Sequence, residues 1–422
     1  VRPLLAWTTA LAVGGAVLAG CSGSGHGSPA AVASPAPTPP PGAAVSALTR
    51  MHWSVVAADP LGPRQDAVTA WTGKVLVAVG GTSGTGTGDG PSLAGADAYD
   101  PVTRVWQRLP DFPLAVRSGA ASTWTGYGLV LWGGDANPVG HGMQNHALGD
   151  GAILDVASKR WHVMPKSPLP ALIAPVAVTD AADRVIIMGG QPVHPSTASG
   201  GTQTLSRLVA SYDPSSGTWH QLPPLPATEN HDLVRVSAAA WGDGVLVAET
   251  WQHIVPTGPG SIEGSGGVDL FSLDPSRGQW KPFTAPASTP LVGADLRPLG
   301  SSLVIAGGTT CPPGASCPFT LIEPFSIVDA RGQARAKLAD VPIRLGAATA
   351  VGDSYVVMTG SQISGPGRDE QPGDIAAFAK GTRRWIVLPS ARRFKPEPQS
   401  LTWTGRELIA VSPTGLIALG PN

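Results

Sequence analysis

Arginine is the residue type whose spacing in this sequence most clearly invites a chemical reading. Arg64, Arg117 and Arg344 each stand seven residues before a recurring position held by Trp71, Trp124 and Val351, and Arg235 stands six before Trp241. Guanidinium groups held in a common register suit carboxylate or phosphate oxygens, which they grip with paired donors. The same positions suit a plainer task, in which each arginine satisfies backbone carbonyls of its own loop, and the sequence leaves the two open. His141 and His146 are separated by GMQN and flanked by Asp135 and Asp150, but no tetrahedral ligand pattern follows, so no metal or other cofactor is expected. Glu229, His231, Asp232 and Arg235 form a set able to move protons. There is no G-x-S-x-G nucleophile motif, and no Gly-rich stretch continues into the Lys-Ser/Thr of a phosphate loop.

The elements that would position these groups recur along the chain. TAWTGKVLVAVGG, STWTGYGLVLWGG, VTDAADRVIIMGG, AAWGDGVLVAETW, RPLGSSLVIAGGT, TAVGDSYVVMTGS and LTWTGRELIAVSP are seven versions of strand, tight turn, apolar strand and, in the closest copies, Gly-Gly. A second motif follows the first six: AYDPVTRVWQRLP, ILDVASKRWHVMP, SYDPSSGTWHQLP, FSLDPSRGQWKPF, SIVDARGQARAKL and AAFAKGTRRWIVL. Five of these carry Trp (Trp106, Trp161, Trp219, Trp280, Trp385) seven residues after an apolar residue, while Arg335 takes that place in the fifth. Each unit therefore predicts four short antiparallel strands. The composition agrees: 54 Gly, 43 Pro, more Trp than Phe and only 14% charged residues suit short strands and turns.

The unit resembles the kelch repeat of β-propellers, with Gly-Gly after the second strand and Trp in the fourth. That resemblance implies an all-β, seven-bladed kelch-type β-propeller over residues 51–422. Its seventh blade would join LTWTGRELIAVSP and GLIALG to HWSVVA, so that an N-terminal strand closes the C-terminal blade. A six-bladed ring with a stray hairpin is the alternative. Gly-Gly is then expected to relieve crowding or take positive φ, Trp to pack between blades, and Asp100, Asp213 and Asp274 to make turns. Antiparallel order puts the long 2-3 loops and the 4-1 connections on one face, where a rigid frame carries binding groups. His141, His146 and His194 fall in 2-3 loops, His231 in a 4-1 connection and His253 after the second strand of blade four. The four arginines would ring the channel mouth on that face, and in similar propellers an Arg there often contacts ligand.

Kelch-like propellers include galactose oxidase, whose copper site needs tyrosines and a cross-linking cysteine. Here Tyr99 and Tyr212 occupy core positions, Tyr127 lies in a turn on the opposite face, Tyr355 begins a strand, and no cysteine remains free. A mutarotase- or epimerase-like sugar enzyme is the remaining catalytic reading, through His231, Arg235, Glu229 and Asp232.

Residues 1–20 have the layout of a secretory signal, and Leu18-Ala19-Gly20-Cys21 resembles the lipobox of bacterial lipoproteins, which implies lipidation of Cys21. Residues 21–50 are a Ser/Gly/Pro/Ala tether with little to bury. Outside the cytoplasm, Cys311 and Cys317 are expected to pair as a disulfide, since zinc would need two further ligands. A formal charge of -1 gives no field for a phosphate backbone, so nucleic acid is not an expected partner. The expected function is a membrane-tethered, extracytoplasmic, non-catalytic module that binds a glycan, peptide or envelope protein through its long-loop face.

Overall fold

The computed structural model describes residues 49–422 apart from 57, 63, 65–66, 84–90, 137–145, 193–204, 227–231, 259–260, 285–294, 307–324, 329–333, 338–342, 352–354, 363–371, 382–383, 390–399, 413–414 and 421–422. The described residues contain strands and turns and no helix. Among the described residues, seven four-stranded antiparallel sheets follow one another along the chain. Sheet I is Val68–Trp71, Leu76–Val79, Ala96–Asp100 and Val105–Leu109; sheet II is Ala121–Thr125, Gly128–Trp132, Gly151–Asp155 and Arg160–Val163. Sheet III is Val176–Thr179, Val185–Met188, Val209–Asp213 and Thr218–Leu222; sheet IV is Asp232–Trp241, Gly244–Gly258, Ser261–Asp274 and Gln279–Pro282. Sheet V is Asp295–Leu299, Ser302–Ala306, Phe325–Val328 and Ala334–Lys337; sheet VI is Ile343–Val351, Tyr355–Gln362, Pro372–Ala379 and Arg384–Val387. Sheet VII takes its first three strands from Ser400–Trp403, Leu408–Ser412 and Gly415–Gly420, and its fourth from His52–Val55. Trp53 there pairs with Leu419.

The second strands, such as LVAV and VIIM, are buried along their whole length, because each sheet is covered on both faces. Fourth strands such as VWQRL and TWHQL expose all but a half-buried Trp and a buried final Leu, as outer strands should. The cores lie between consecutive sheets. Val77, Val79 and Ala98 of sheet I meet Leu129, Leu131 and Leu154 of sheet II. On the other face of sheet I, Leu76 and Tyr99 meet Ile409, Val411 and Ala418 of sheet VII. Each such Leu stabilises the fold by about 1.5–3 kcal/mol when it leaves water. Hydroxyls stitch first strands together: Thr69 to Ser400 (3.2 Å) and Thr123 to Thr179 (2.8 Å).

The fourth-strand tryptophans do more than fill the core. Trp161, Trp219 and Trp280 donate Nε1 to the carbonyls of Pro110, Pro165 and Pro223, each just beyond the fourth strand of the preceding sheet. Trp53 does the same to Pro389 at 2.7 Å, so the N-terminal strand makes the contact that the fourth strands of sheets II, III and IV make. The 3-4 turns are built by aspartates. Backbone amides two and three residues on bind the carboxylates of Asp100, Asp155 and Asp274. Hydrogen bonds led by those from Val102, Ser158, Ser215 and Ser276 hold Asp100, Asp155, Asp213 and Asp274 below the ordinary carboxylate range.

Gly-Gly answers both needs expected of it. Gly80, Gly81, Gly133, Gly134, Gly189 and Gly190 all have positive φ. A Cβ on Gly134 would stand 2.7 Å from the Ser118 carbonyl, and the Gly134 amide donates to Leu172 O at 2.9 Å.

One expectation fails in sheet IV. The segment after its second strand is not a loop: Gly244–Gly258 and Ser261–Asp274 run on as a paired ribbon, with His253 opposite Ser265. His253 is therefore inside the second strand and not after it. The second and third strands continue the ladder through WQHIV and SIEG, with a register shift between Pro256 and Gly258.

Candidate functional site

Two faces of the molecule differ in what leaves them. From one come the short 1-2 connections, 72–75, 126–127, 180–184, 242–243, 300–301, 352–354 and 404–407, with the aspartate turns. From the other come the 2-3 connections 80–95, 133–150, 189–208, 307–324 and 363–371, together with the 4-1 connections. Where described, this second face is bound to itself by backbone. Ser118 pairs with Asp135, Asp135 with Ala147, Leu148 with Leu172, and Leu172–Ile173 with Gln191–Pro192. The 4-1 connections that carry Arg117 and Leu172 are thereby tied to the Gly-Gly exits of neighbouring sheets. No sequence signal announced these ties.

Arg64 and Arg117 sit at the base of this face, and both are buried. Arg64 donates Nη1 to Gly95 O (3.0 Å) and Nη2 to Asp59 Oδ2 (2.9 Å) and Asp97 Oδ2 (3.1 Å). Arg117 donates Nη1 to Asp150 O (3.0 Å) and Gly133 O (3.1 Å), Nη2 to Asp150 Oδ1 (2.9 Å) and Nε to Ala115 O (3.0 Å). Its guanidinium also lies 4.5 Å from the Phe112 ring centre. Burial lowers its pKa while Asp150 opposes, and it stays charged. Gly95 and Asp150 are equivalent, each four residues before the third-strand core residue, Tyr99 or Leu154. Both guanidiniums are thus turned inward to carbonyls and carboxylates, of which only the Ala115 carbonyl and the Asp59 carboxylate belong to the arginine's own 4-1 connection.

Asp97 shows what that arrangement does to a carboxylate. Burial, then a hydrogen bond and the like charge of Asp59, push it up to about 6, although Arg64 pulls the other way. A second such group stands in sheet IV. Glu249 is 2% exposed and is pushed up to about 7 by burial and by Asp269, its partner across the ladder, against the pull of Arg207. Arg207 Nη1 lies 3.4 Å from Glu249 Oε2 and donates to Pro226 O at 2.7 Å, while Glu249 Oε1 has no hydrogen-bond partner. On the other side of sheet IV, Arg235 reaches Asp295 of sheet V at 2.6 Å and is about half exposed. Burial pushes Asp295 up, but Arg235 and Arg297 outweigh it and hold it below its ordinary value.

The four arginines of the sequence register are therefore not one cluster. Arg64 belongs to the joint between sheets VII and I, Arg117 to that between I and II, and Arg235 to that between IV and V. Arg344 lies in the first strand of sheet VI opposite Ser361, with its side chain outside the described set. His146 is exposed, and its amide donates to Asp135 Oδ1 at 3.1 Å. Burial pushes Asp135 upward while His146 draws it back. His141, His194, His231, Glu229, Cys21, Cys311 and Cys317 lie outside the described residues. Among the described residues no three His, Cys, Asp or Glu side chains are grouped as metal ligands.

The residues that sequence reasoning missed are Asp59, Asp97, Arg207, Glu249, Asp269 and Asp295. A faint signal existed: Asp97 in ADAYD and Glu249 in LVAET are charges inside otherwise apolar strands. Their partners come from distant connections, so spacing could not supply them.

Comparison with known proteins matches residues 63–113 to the Kelch motif family model. The chain is 24% identical over 204 residues to Kelch-like protein 35 of Mus musculus, covering 48% of this chain and 28% of that protein. It is 27% identical over 172 residues to Kelch-like protein terF of Aspergillus terreus, covering 40% of this chain and 36% of that protein. The alignments thus span about a third of each relative's length. Joined to the repeated four-stranded antiparallel sheets, these matches support a kelch-repeat protein.

Proposed function

We propose that this chain is a binding module that recognises a protein or peptide partner, or an envelope glycan, through the face carrying the 2-3 and 4-1 connections. The observation that carries this reading is the asymmetry of the two faces: long connections leave one side only, from a base fixed by backbone pairing and inward-turned arginines. A rigid base with variable loops is how recognition surfaces are usually built. Kelch repeats typically mediate contacts between proteins, which places a polypeptide first among the ligand classes. In solution, purified residues 49–422 are expected to retain one ligand from a panel of peptidoglycan fragments, soluble glycans and extended peptides. Replacing Arg344 and His231 together with Ala abolishes that retention without lowering the melting temperature. Turnover of any sugar that vanishes with the same changes would overturn the binder in favour of a sugar-active enzyme.

The seven sheets form, in this reading, a seven-bladed propeller closed by the His52–Val55 strand. Support comes from the Trp53 contact to Pro389, the Thr69 contact to Ser400 and the shared core of sheets VII and I. Deleting residues 51–57 is expected to cost well over 3 kcal/mol, since it removes a strand and a buried Trp; an unchanged melting transition would refute closure. The module is tethered outside the cytoplasm by a diacylglyceryl group on Cys21 through the Pro-rich stretch, and Cys311 and Cys317 form a disulfide. Cys21→Ala is expected to release the protein from membranes, and membrane retention of that variant would rule the anchor out.

A further inference from the structure

The face of short 1-2 connections and aspartate turns is not uniform in charge. Around sheets III and IV it is acidic. Asp180, Asp183, Asp213, Asp243 and Asp274 stand there, and the cations beside them are engaged, Arg184 with Asp180 at 2.7 Å and Arg277 with Asp274 at 3.1 Å. Around sheets VII, I and II the sign reverses. Arg50, Lys74, Arg104, Lys159, Arg160 and Arg406 are all exposed, and among the described residues no ion pair holds any of them. The charges of Arg104 and Arg406 both reach Glu407, and that of Lys74 reaches Asp100, so these cations of sheets VII and I share one neighbourhood. The carboxylates of the sector are withdrawn from solvent: Asp100 and Asp155 accept amides of their own turns, and Glu407 is buried.

Apolar side chains stand among those cations. Val102 is 74% exposed, Val105 58% and Tyr127 50%, at the 3-4 turn of sheet I and the 1-2 turn of sheet II. An aromatic ring and aliphatic groups ringed by free cations suit the boundary of a bilayer, where rings sit at headgroup level and cations meet lipid phosphates.

The chain also enters the fold here. His52 lies opposite Gly420, where an added Cβ would stand 3.0 Å from Oε2 of Glu407 in the 1-2 turn of sheet VII. The fourth strand of sheet VII therefore begins on the short-turn face, with exposed Thr49 and Arg50 just before it. Residues 1–48, Cys21 among them, thus join the molecule beside the basic sector and across the fold from the long connections.

We propose that the short-turn face of sheets VII, I and II docks on an anionic lipid bilayer, with Val102, Val105 and Tyr127 at headgroup depth and the surrounding cations over lipid phosphates. The inference rests on the reading of this chain as a lipid-anchored module and adds which way the module faces: the long connections are turned away from the membrane, toward a partner. A Ser/Gly/Pro tether sets distance and leaves direction free, so the orientation comes from the folded surface. The acidic sector of sheets III and IV is repelled by the same lipid and tilts the molecule onto sheets VII, I and II.

Residues 49–422 contain all seven sheets and lack Cys21, which separates this surface from the anchor. They are mixed with vesicles of phosphatidylcholine alone or of phosphatidylcholine with phosphatidylglycerol, and the bound fraction is read by sedimentation. Binding to the anionic vesicles is expected to exceed binding to the neutral ones by about tenfold or more, and to fall steeply as salt is raised. Lys159→Glu with Arg160→Glu lowers it by about tenfold or more. Lys166→Glu with Lys281→Glu, an equal change of charge on exposed residues outside the sector, lowers it by less than about twofold. Val102→Ser with Tyr127→Ser, at constant charge, weakens binding by about tenfold. Equal binding to both kinds of vesicle, binding to neither, or equal loss from the two charge-reversed pairs would each overturn the proposal. Displacement by glycerol phosphate at constant ionic strength would overturn it as well, by showing a phosphate site in place of a bilayer surface. Failure of the anchor shows separately, as membrane retention of full-length Cys21→Ala in a salt wash that strips residues 49–422 from vesicles.

Discussion

The joints on either side of sheet I hold equivalent arginines in unlike company. Arg117 meets three carbonyls and one carboxylate, that of Asp150, whose side chain is 47% exposed. Arg64 meets one carbonyl and two carboxylates, Asp59 and Asp97, exposed 9% and 0%. One guanidinium cannot neutralise two buried carboxylates, so Asp97 keeps its proton up to about 6. A repeat thus fixes where a cation stands and what backbone it holds, while the connection that folds over it decides whether the joint senses pH.

Breaking the two clamps gives the largest expected contrast. Arg64→Ala leaves both buried carboxylates unpaired and is expected to cost about 3–5 kcal/mol in urea unfolding at pH 7.5. Arg117→Ala leaves carbonyls short of donors beside a carboxylate that water already reaches, and should cost about 2–3 kcal/mol. At pH 5 the first cost shrinks as Asp97 takes its proton, whereas the second barely moves. Equal losses at both pH values would dissolve the distinction.

Next in size is the pH dependence of the intact chain. Asp97 is raised from 3.8 to about 6 and Glu249 from 4.5 to about 7. In both the folded state favours the protonated form. The stability each contributes is full below its unfolded value and lost as pH rises through its folded one. Unfolding free energy should therefore fall between about pH 4 and pH 7, by at most about 3 kcal/mol for each group. Asp97→Asn is expected to flatten the part between 3.8 and about 6, and Glu249→Gln the part between 4.5 and about 7. Below about pH 4 the depressed turn aspartates act in the opposite sense, so stability falls again there. A wild-type profile that rises from pH 5 to pH 8 would show that neither carboxylate is held protonated by the fold.

A smaller contrast tests the glycines. Gly134 combines positive φ with a carbonyl 2.7 Å from where a Cβ would lie, whereas Gly62 has positive φ and open space. Gly62→Ala is expected to cost about 1 kcal/mol for the backbone conformation alone, and Gly134→Ala about 2–3 kcal/mol because the tie to the next connection must also shift. Matching melting temperatures for the two variants would mean that the close approach carries no cost.

The same division explains how much could be read beforehand. Strands, aspartate turns, Gly-Gly and the Trp register were legible because each is a local requirement repeated along the chain, and local requirements leave a period. The partners of Arg64 and Arg207 were not, because Asp97 is 33 residues from Arg64 and Glu249 is 42 from Arg207, across connections that share no period. The ribbon of sheet IV was missed for a different reason. Its Pro and Gly have the composition of a loop, and only cross-strand pairing of HIVP with IEGS shows that the ladder continues. Of the candidate site, the loop lengths on which the proposed face rests were legible, but the inward turn of Arg64 and Arg117 required their burial to be seen.

The smallest effect tests the repeat at one backbone torsion. Four residues after each turn aspartate the chain enters the left-handed region: Arg104 at φ 58, Lys159 at 56, Gly217 at 68 and Gly278 at 61. Sheets III and IV use glycine there, while sheets I and II hold an L side chain in a conformation that costs roughly 1 kcal/mol. Lys159 is exposed, so little besides that torsion is at stake. Lys159→Gly relieves the strain and loosens the unfolded chain, two effects of opposite sign. The net change in unfolding free energy is expected to be a gain of no more than about 0.5 kcal/mol, read as a rise in melting temperature of a degree or so. Arg104 stands near Tyr99 and Glu407, whose charge it offsets, so Arg104→Gly should gain less or lose slightly. If both variants were destabilised equally, the torsion would not be the distinguishing quantity, and the comparison would revert to what each side chain touches.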